Sequence, residues 1–414
     1  MDAVNFNLQL KPYQKLTLKN NVDVYTVDAG TEDVLAIEWV FFAGNSYEEK
    51  NLVAASANFL LKNGTSNKTA FQINEHFDYY GSFLNRSCYN ETATISLHSL
   101  TKHIGELLPV VREMISDSIM PEEELAIYQQ NMKQKLRVSL KKSDFVASRL
   151  IDVYLFGENH PYGKFSRAED FDALKREELI TFYKKYYQQG KLIIFAAGRL
   201  PANLEQLLND SFGDLPNNSN LPIPAVTSPS AEKKFRVIND ESGVQGSIRL
   251  ARPFPNRHHP DFQKVQVLNT LFGGFFGSRL MVNIREDKGY TYGIHSYLQA
   301  HVHESAWMVS TEAGREVCEA AISEVYKEMK DLREELVEED ELLLVRNFLM
   351  GGILGDLDGP FHIIARWKNI ILNDLEHDHF YKTIDTIKSV SAIELQSLAQ
   401  KYLNPDDFYD LVVV

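Results

Sequence analysis

Gly273–Gly293 reads GGFFGSRLMVNIREDKGYTYG. Two glycines close an apolar run with helical character. Ser278-Arg279-Leu280 then opens a short helical run expected to reach Ile284. The polar block Arg285-Glu286-Asp287-Lys288-Gly289 follows, and past Tyr292 the chain takes a strand pattern. Arg285 and Tyr292 therefore flank a turn between a helix end and a strand start. The turn at Lys288-Gly289 can aim both side chains at one point, and such turns are where scaffolds carry polar sites. Spacing alone is weak support, since 19 tyrosines in 414 residues make it common.

Working outward, the second half of the chain repeats the first. Arg112-Glu113-Met114 matches Lys327-Glu328-Met329, an offset of 215 (329 − 114). Glu178-Leu179 matches Glu394-Leu395 and Lys185-Tyr186 matches Lys401-Tyr402, both at 216 (394 − 178, 401 − 185). The acidic helix start Pro121–Glu124 is echoed at Val337–Glu341, and the closing strand Leu192–Ala196 at Tyr409–Val414. A long fixed offset with one order of elements argues for tandem duplication. The expected fold is α+β: two similar domains, each a mixed β-sheet with helices packed mainly on one face. Leu215–Ser230, LPNNSNLPIPAVTSPS, carries four prolines and is expected to be an extended, poorly ordered linker. The expected division is residues 1–216, a linker at 217–230, and residues 231–414, the last carrying Arg285 and Tyr292.

Composition narrows the function. A hydrophobic content of 44% with 24% charged residues is that of a globular chain, and 414 residues suit two cores. A net charge of −14 argues against nucleic acid and anionic membrane as partners. No apolar run approaches membrane-spanning length. The first residues, MDAVNFNLQLKPYQKL, have neither an apolar signal core nor an arginine-rich transit pattern. Two cysteines, Cys88 and Cys318, make no disulfide framework and are expected to be small core residues. The expected location is the cytoplasm.

The block REDKGYTYG, preceded by GGFFGSRL, resembles the second-domain signature of the pitrilysin/insulinase-type zinc peptidases, which include the mitochondrial processing peptidase. The resemblance covers nearly the whole chain and implies a pair of related domains. It also implies that Arg285 and Tyr292 face a zinc site carried by another domain. In the first domain these peptidases carry H-x-x-E-H on a helix, two His binding zinc and the Glu activating water. The corresponding run here is Asn51-Leu52-Val53, then Ala54-Ala55-Ser56-Ala57-Asn58, then Asn63-Gly64-Thr65. The His positions fall on Ala54 and Asn58 and the Glu position on Ala57, so the zinc motif is degenerate. The family's third ligand is a Glu on a later helix, yet no Glu occurs from Leu125 through Gly157. Asp144 is the nearest carboxylate, at a helix end. A catalytic zinc needs three protein ligands, so no metal is expected in this chain.

Other histidine pairs lack a third ligand. His301-x-His303 is expected on a strand, His377-x-His379 in an acidic loop, and His258-His259 beside a proline. Gly273-Gly274-x-x-Gly277 follows a helix and lacks the Lys-Ser/Thr ending of a phosphate loop.

In the processing-peptidase branch the family is often split across two chains, one with zinc and one with the Arg/Tyr pair. The resemblance therefore implies a zinc-less subunit, inactive alone. Its partner would be a homologous subunit holding zinc, and peptide hydrolysis would need both. Within Gly81–Ser87, the residues Ser82, Phe83, Leu84, Asn85, Arg86 and Ser87 correspond to the strand that adds a substrate peptide by backbone hydrogen bonds. The alternative is a non-catalytic structural or peptide-binding homologue acting as a scaffold.

Overall fold

The structure is a computed structural model and describes residues 5–414. The beginning of the N-terminal stretch read above, residues 1–4, lies outside the described residues. In the first half, β1 (Gln14–Thr17), β2 (Asp23–Asp28) and β3 (Val34–Phe41) lead into α1 (Val53–Leu60) and α2 (Ala70–Tyr79). The hairpin β4 (Phe83–Cys88) and β5 (Ala93–Leu100) follows, then α3 (Ile104–Asp117), α4 (Glu122–Ser139) and α5 (Ser143–Phe156). The short α6 (Ala168–Ala173), α7 (Arg176–Tyr183), β6 (Leu192–Gly198) and α8 (Leu204–Phe212) complete it.

The second half runs β7 (Lys234–Val237), β8 (Gln245–Phe254), α9 (Phe262–Asn269), β9 (Thr291–Ala300) and β10 (Ser305–Gly314). The helices α10 (Cys318–Glu334), α11 (Glu339–Gly355), α12 (Pro360–Leu372), α13 (His379–Ser389) and α14 (Ala392–Tyr402) precede the closing β11 (Tyr409–Val413).

The sheets are ordered β1-β2-β6-β3-β5-β4 and β7-β11-β8-β10-β9. Setting β1 aside, the orders are the same, including the single parallel contact, β2 with β6 and β7 with β11. The repeat in the sequence is thus a repeat of topology. Met114 on α3 and Met329 on α10, which define the 215 offset, are both fully buried against their own sheets' helical layer.

Alternation along β3 explains how each sheet is closed. Leu35, Ile37, Trp39 and Phe41 are buried in the first half's own core. Ala36, Glu38 and Val40 point to the opposite face, by the two-residue period of a strand. That face is covered by α12, a helix of the other half, which packs on β2 and β6. Trp367 of α12 is buried there, its ring edge-on to Tyr13 at 4.9 Å and its indole N–H donating to the Lys11 carbonyl at 2.8 Å. Lys368 pairs with Glu38 at 2.7 Å.

The reciprocal contact is made by α5, which packs on β8 and β11. Ala147, Ile151 and Leu155, spaced four apart on one helical face, are buried against Ala251, Met308 and Leu411. The buried Arg249 of β8 ion-pairs with Asp144 in the first turn of α5 and donates to Ser148 Oγ at 3.1 Å. Each sheet has its own helices mainly on one face, and one helix exchanged from the other half closes the second face.

The proline-rich segment has no helix or strand, as expected of it. It is nevertheless pinned: Ile223 N–H donates to Ser46, and Ser228 and Ser230 donate to Phe156 and Tyr154 at the end of α5. Among the described residues no helix is long and apolar enough to cross a membrane.

Candidate functional site

Three sequence-derived regions meet the structure differently. In α1, Ala54 and Ala57 are fully buried and Asn58 is nearly so. The Asn58 amide nitrogen donates to Tyr187 Oη at 3.1 Å and to the Thr94 carbonyl at 3.3 Å. Burial pushes the Tyr187 phenol well up, so it stays neutral as the partner of that amide. At the start of α1, the Ala54 N–H donates to the buried Glu48 carboxylate at 2.8 Å, and Lys164 neutralises Glu48 at 2.6 Å. Burial still raises the Glu48 carboxyl, with Lys164 opposing it.

The zinc implied by the family resemblance does not fit this position. Two methyl groups offer no lone pair, and the one polar side chain is engaged with Tyr187 and Thr94. Asp144, the nearest carboxylate, is held by Arg249 at the junction of the halves. α4 ends at Ser139 and α5 begins at Ser143, which puts Asp144 in the first turn of α5. Among the described residues no group of three or more His, Cys, Asp or Glu could hold a metal ion.

The strand β4 lies beside α1 and, among the described residues, pairs only with β5, which leaves its outer edge open. Its six candidate residues do different things. Phe83 and Asn85 are exposed and Leu84 is buried. Ser82 precedes the strand, buried, with its hydroxyl donating to the Phe77 carbonyl at 2.8 Å. Arg86 folds back over the Phe59 ring at 5.0 Å and donates to the Phe59 carbonyl, and burial lowers its guanidinium to about 10. Ser87 is half-buried. The edge is available through its backbone, while the Ser82 and Arg86 side chains serve the fold.

Arg285 and Tyr292 are brought together. The helical run does not stop at Ile284 but continues as wide, π-helical turns through Asp287, with Lys288 N–H bonded back to Asn283 at 3.0 Å. Such turns recur at functional positions. Gly289 then takes φ +66, a left-handed conformation suited to glycine, and reverses the chain. Arg285 Nε donates to the carbonyl of Tyr292 at 3.0 Å, and its guanidinium lies over the Phe276 ring at 4.7 Å.

Tyr292 sits on a β-bulge. Ile294 pairs with Thr311 and Thr291 with Ala313, so three steps on β9 oppose two on β10. A bulge re-aims side chains and raises local twist. Here it turns the Tyr292 ring outward, 94% exposed. Tyr290 lies before β9 and packs, partly buried, on the second half's core.

The remaining histidines also differ from expectation. His301 and His303 lie in the turn between β9 and β10, not on a strand. His379 begins α13, and the His377 ring packs tilted against Trp367 at 4.7 Å. Sequence reading missed the half-buried Asp152 on α5, which accepts from Gln299 at 3.2 Å and whose carboxyl burial pushes up to about 7.

A family model described as the peptidase M16 inactive domain matches residues 173–349. An "uncharacterized zinc protease" of Rickettsia felis is 24% identical over 362 residues, covering 84% of this chain and 83% of its own. The "non-peptidase homolog YmxG" of Helicobacter pylori is 23% identical over 323 residues, covering 76% and 74%. The solved structure of a peptidase M16 inactive domain from Pseudomonas fluorescens superposes with a TM-score of 0.86 at 22% identity, covering 97% of this chain and 98% of that one. The resemblance drawn from the Arg285–Tyr292 block is borne out.

Proposed function

From a chain that fits peptidase family M16 and carries its inactive domain, we infer the zinc-less subunit of a heterodimeric metallopeptidase. Its partner is a homologous subunit that supplies the zinc, and this chain adds Arg285 and Tyr292 to that partner's site. The observation that carries the reading is the pairing of a phenol 94% exposed on a bulge with a guanidinium fixed behind it by the tyrosine's own carbonyl. Amide hydrolysis places negative charge on the carbonyl oxygen in the transition state. Preorganised N–H and O–H donors stabilise that charge without reorganising. A guanidinium supplies a permanent cation and several donors, and a phenol supplies one more.

The open edge of β4 supports peptide binding by strand addition, which requires backbone groups and not particular side chains. The two free thiols, Cys88 and Cys318, support a reducing, cytoplasmic setting.

A second reading, a scaffold that catalyses nothing, is favoured by the packed α1 and by the non-peptidase name of the Helicobacter pylori relative. Turnover of the reconstituted heterodimer separates the two. Loss of one donor costs about 100- to 1,000-fold in rate, or about 2.7–4 kcal/mol. Arg285→Ala and Tyr292→Phe should each show that loss, with complex formation and the partner's zinc content unchanged. Near-normal rates in both would leave the scaffold.

A further inference from the structure

The turn Gly273-Gly274-Phe275-Phe276-Gly277 takes no part in the chemistry ascribed to Arg285 and Tyr292. Its outer glycines are demanded by space. A Cβ at Gly273 would meet Ser296 Cβ on β9 at 2.7 Å, and one at Gly277 would meet the Phe275 ring at 2.9 Å. Glycine is the residue that permits so close an approach, and it seats the turn against β9.

Between these glycines stand two phenylalanines with different surroundings. Phe275 is extended, at φ −153 and ψ 175, and along an extended chain successive side chains leave on opposite sides. Phe275 packs, half-buried, on the second half's core, its ring stacked on Phe348 of α11 at 4.8 Å. Phe276 is 59% exposed, and the Arg285 guanidinium lies over its ring at 4.7 Å. One ring anchors the turn, and the other stands under the arginine.

An arginine on a surface turn has many rotamers to lose. The bond from Arg285 Nε to the Tyr292 carbonyl fixes one point of the guanidinium. It leaves the plane free to turn about that bond. A ring against the guanidinium opposes this rotation, since the two attract face on. Glu286 reaches only Nη1, at 3.9 Å. With Nε spent on the backbone, the donors left for a substrate oxygen are the Nη groups. Their direction is that of the plane.

We propose that Phe276 is a positioning residue for Arg285: its ring holds the guanidinium plane so that the Nη donors face the space beside the Tyr292 phenol. The positioning belongs to this chain alone. Its effect on rate rests on the function inferred above for Arg285 and Tyr292.

Two measurements on the full chain and its complex test the two parts. In nuclear magnetic resonance of the chain alone, the Arg285 Nε–H should be ordered and shifted by the ring current of Phe276. Phe276→Tyr and Phe276→Trp should keep both properties. Phe276→Leu should lose both with Tm unchanged, since it keeps an apolar side chain and removes the π face. An Nε–H equally ordered in Phe276→Leu would overturn the proposal. In the reconstituted heterodimer, Phe276→Leu should slow single-turnover hydrolysis about fivefold to tenfold, as loss of a covered cation–π contact would, and Phe276→Tyr less than about twofold. In an Arg285→Ala background, Phe276→Leu should cost less than about twofold, because there is no guanidinium left to hold. Equal costs in both backgrounds would make Phe276 merely structural and overturn the proposal. Near-normal turnover of Arg285→Ala would instead remove the catalytic role of Arg285, and the spectra would still decide the positioning. Should Phe276→Leu fail to fold, an unshifted, mobile Nε–H in the native chain would overturn the proposal and a shifted, ordered one would support it.

Discussion

The two halves share a strand order and use it in opposite ways. In the first, the helix beside the open sheet edge presents Ala54, Ala57 and Asn58 inward, and the position is closed by methyl groups and the Asn58–Tyr187 bond. In the second, the element leading to the open edge is widened into π-helical turns, reversed at Gly289 and bulged, so that Tyr292 faces outward with Arg285 behind it. The first half has spent polar groups on packing. The second has kept a polar group in water at a place where packing could have covered it. Buried polar groups are hydrogen-bonded because leaving them unpaired is expensive, whereas an exposed phenol costs the fold nothing. The two corresponding regions therefore differ as burial against exposure.

Variants that break the contact between the halves should have the largest effects on stability. Trp367→Ala removes a buried indole and strands the Lys11 carbonyl, and should cost about 3–5 kcal/mol in urea denaturation. Ile151→Ala on the other exchanged helix should cost about 2–5 kcal/mol. Both should lower hydrogen-exchange protection in the half that does not contain the mutation, since each helix closes the other half's sheet. Loss of protection confined to the mutated half would show that the exchange does not couple them.

Within the first half, Asn58→Leu should cost about 1–3 kcal/mol by leaving the buried Tyr187 hydroxyl without its donor. Restored or increased stability would mean that the amide is not structural and would reopen a polar role for this position.

The exchanged helices also differ in charge. Lys368 on α12 has Glu38, whereas Asp152 on α5 has only the Gln299 amide and a distant Arg249. Its carboxyl is raised from 3.8 to about 7 in the fold. The native chain then holds a proton that the unfolded chain releases, so stability falls as pH rises from about 4 to about 7. Asp152→Asn keeps an acceptor for Gln299 and should remove that slope, gaining on the order of 1 kcal/mol at pH 7. An unchanged slope would place the pH dependence elsewhere.

Much of this was legible in the sequence because periodicity and repeats report local structure directly. The 215–216 offset reported a repeated order of elements, and the polar block after Ile284 reported the turn that brings Arg285 and Tyr292 together. The degenerate motif was legible because methyl side chains cannot ligate. What escaped were features with no local signature. An apolar stripe such as Ala147-Ile151-Leu155 shows that a helix is buried, but not which sheet it covers. π-helical turns and a bulge add one residue to a regular pattern, so the helical run was expected to end at Ile284 and not at Asp287. His301 alternates with His303 as on a strand, but both fall in the turn between β9 and β10.

Smallest of all should be the effect of Tyr292→Phe on this chain alone, within about 0.5 kcal/mol, since the hydroxyl belongs to a side chain 94% exposed and its loss leaves nothing buried unsatisfied. The same variant gives the most direct test of the central claim. In the reconstituted heterodimer, single-turnover peptide hydrolysis by Tyr292→Phe should fall about 100- to 1,000-fold, with folding, assembly and the partner's zinc content intact. Hydrolysis within a few-fold of the wild-type rate would contradict it.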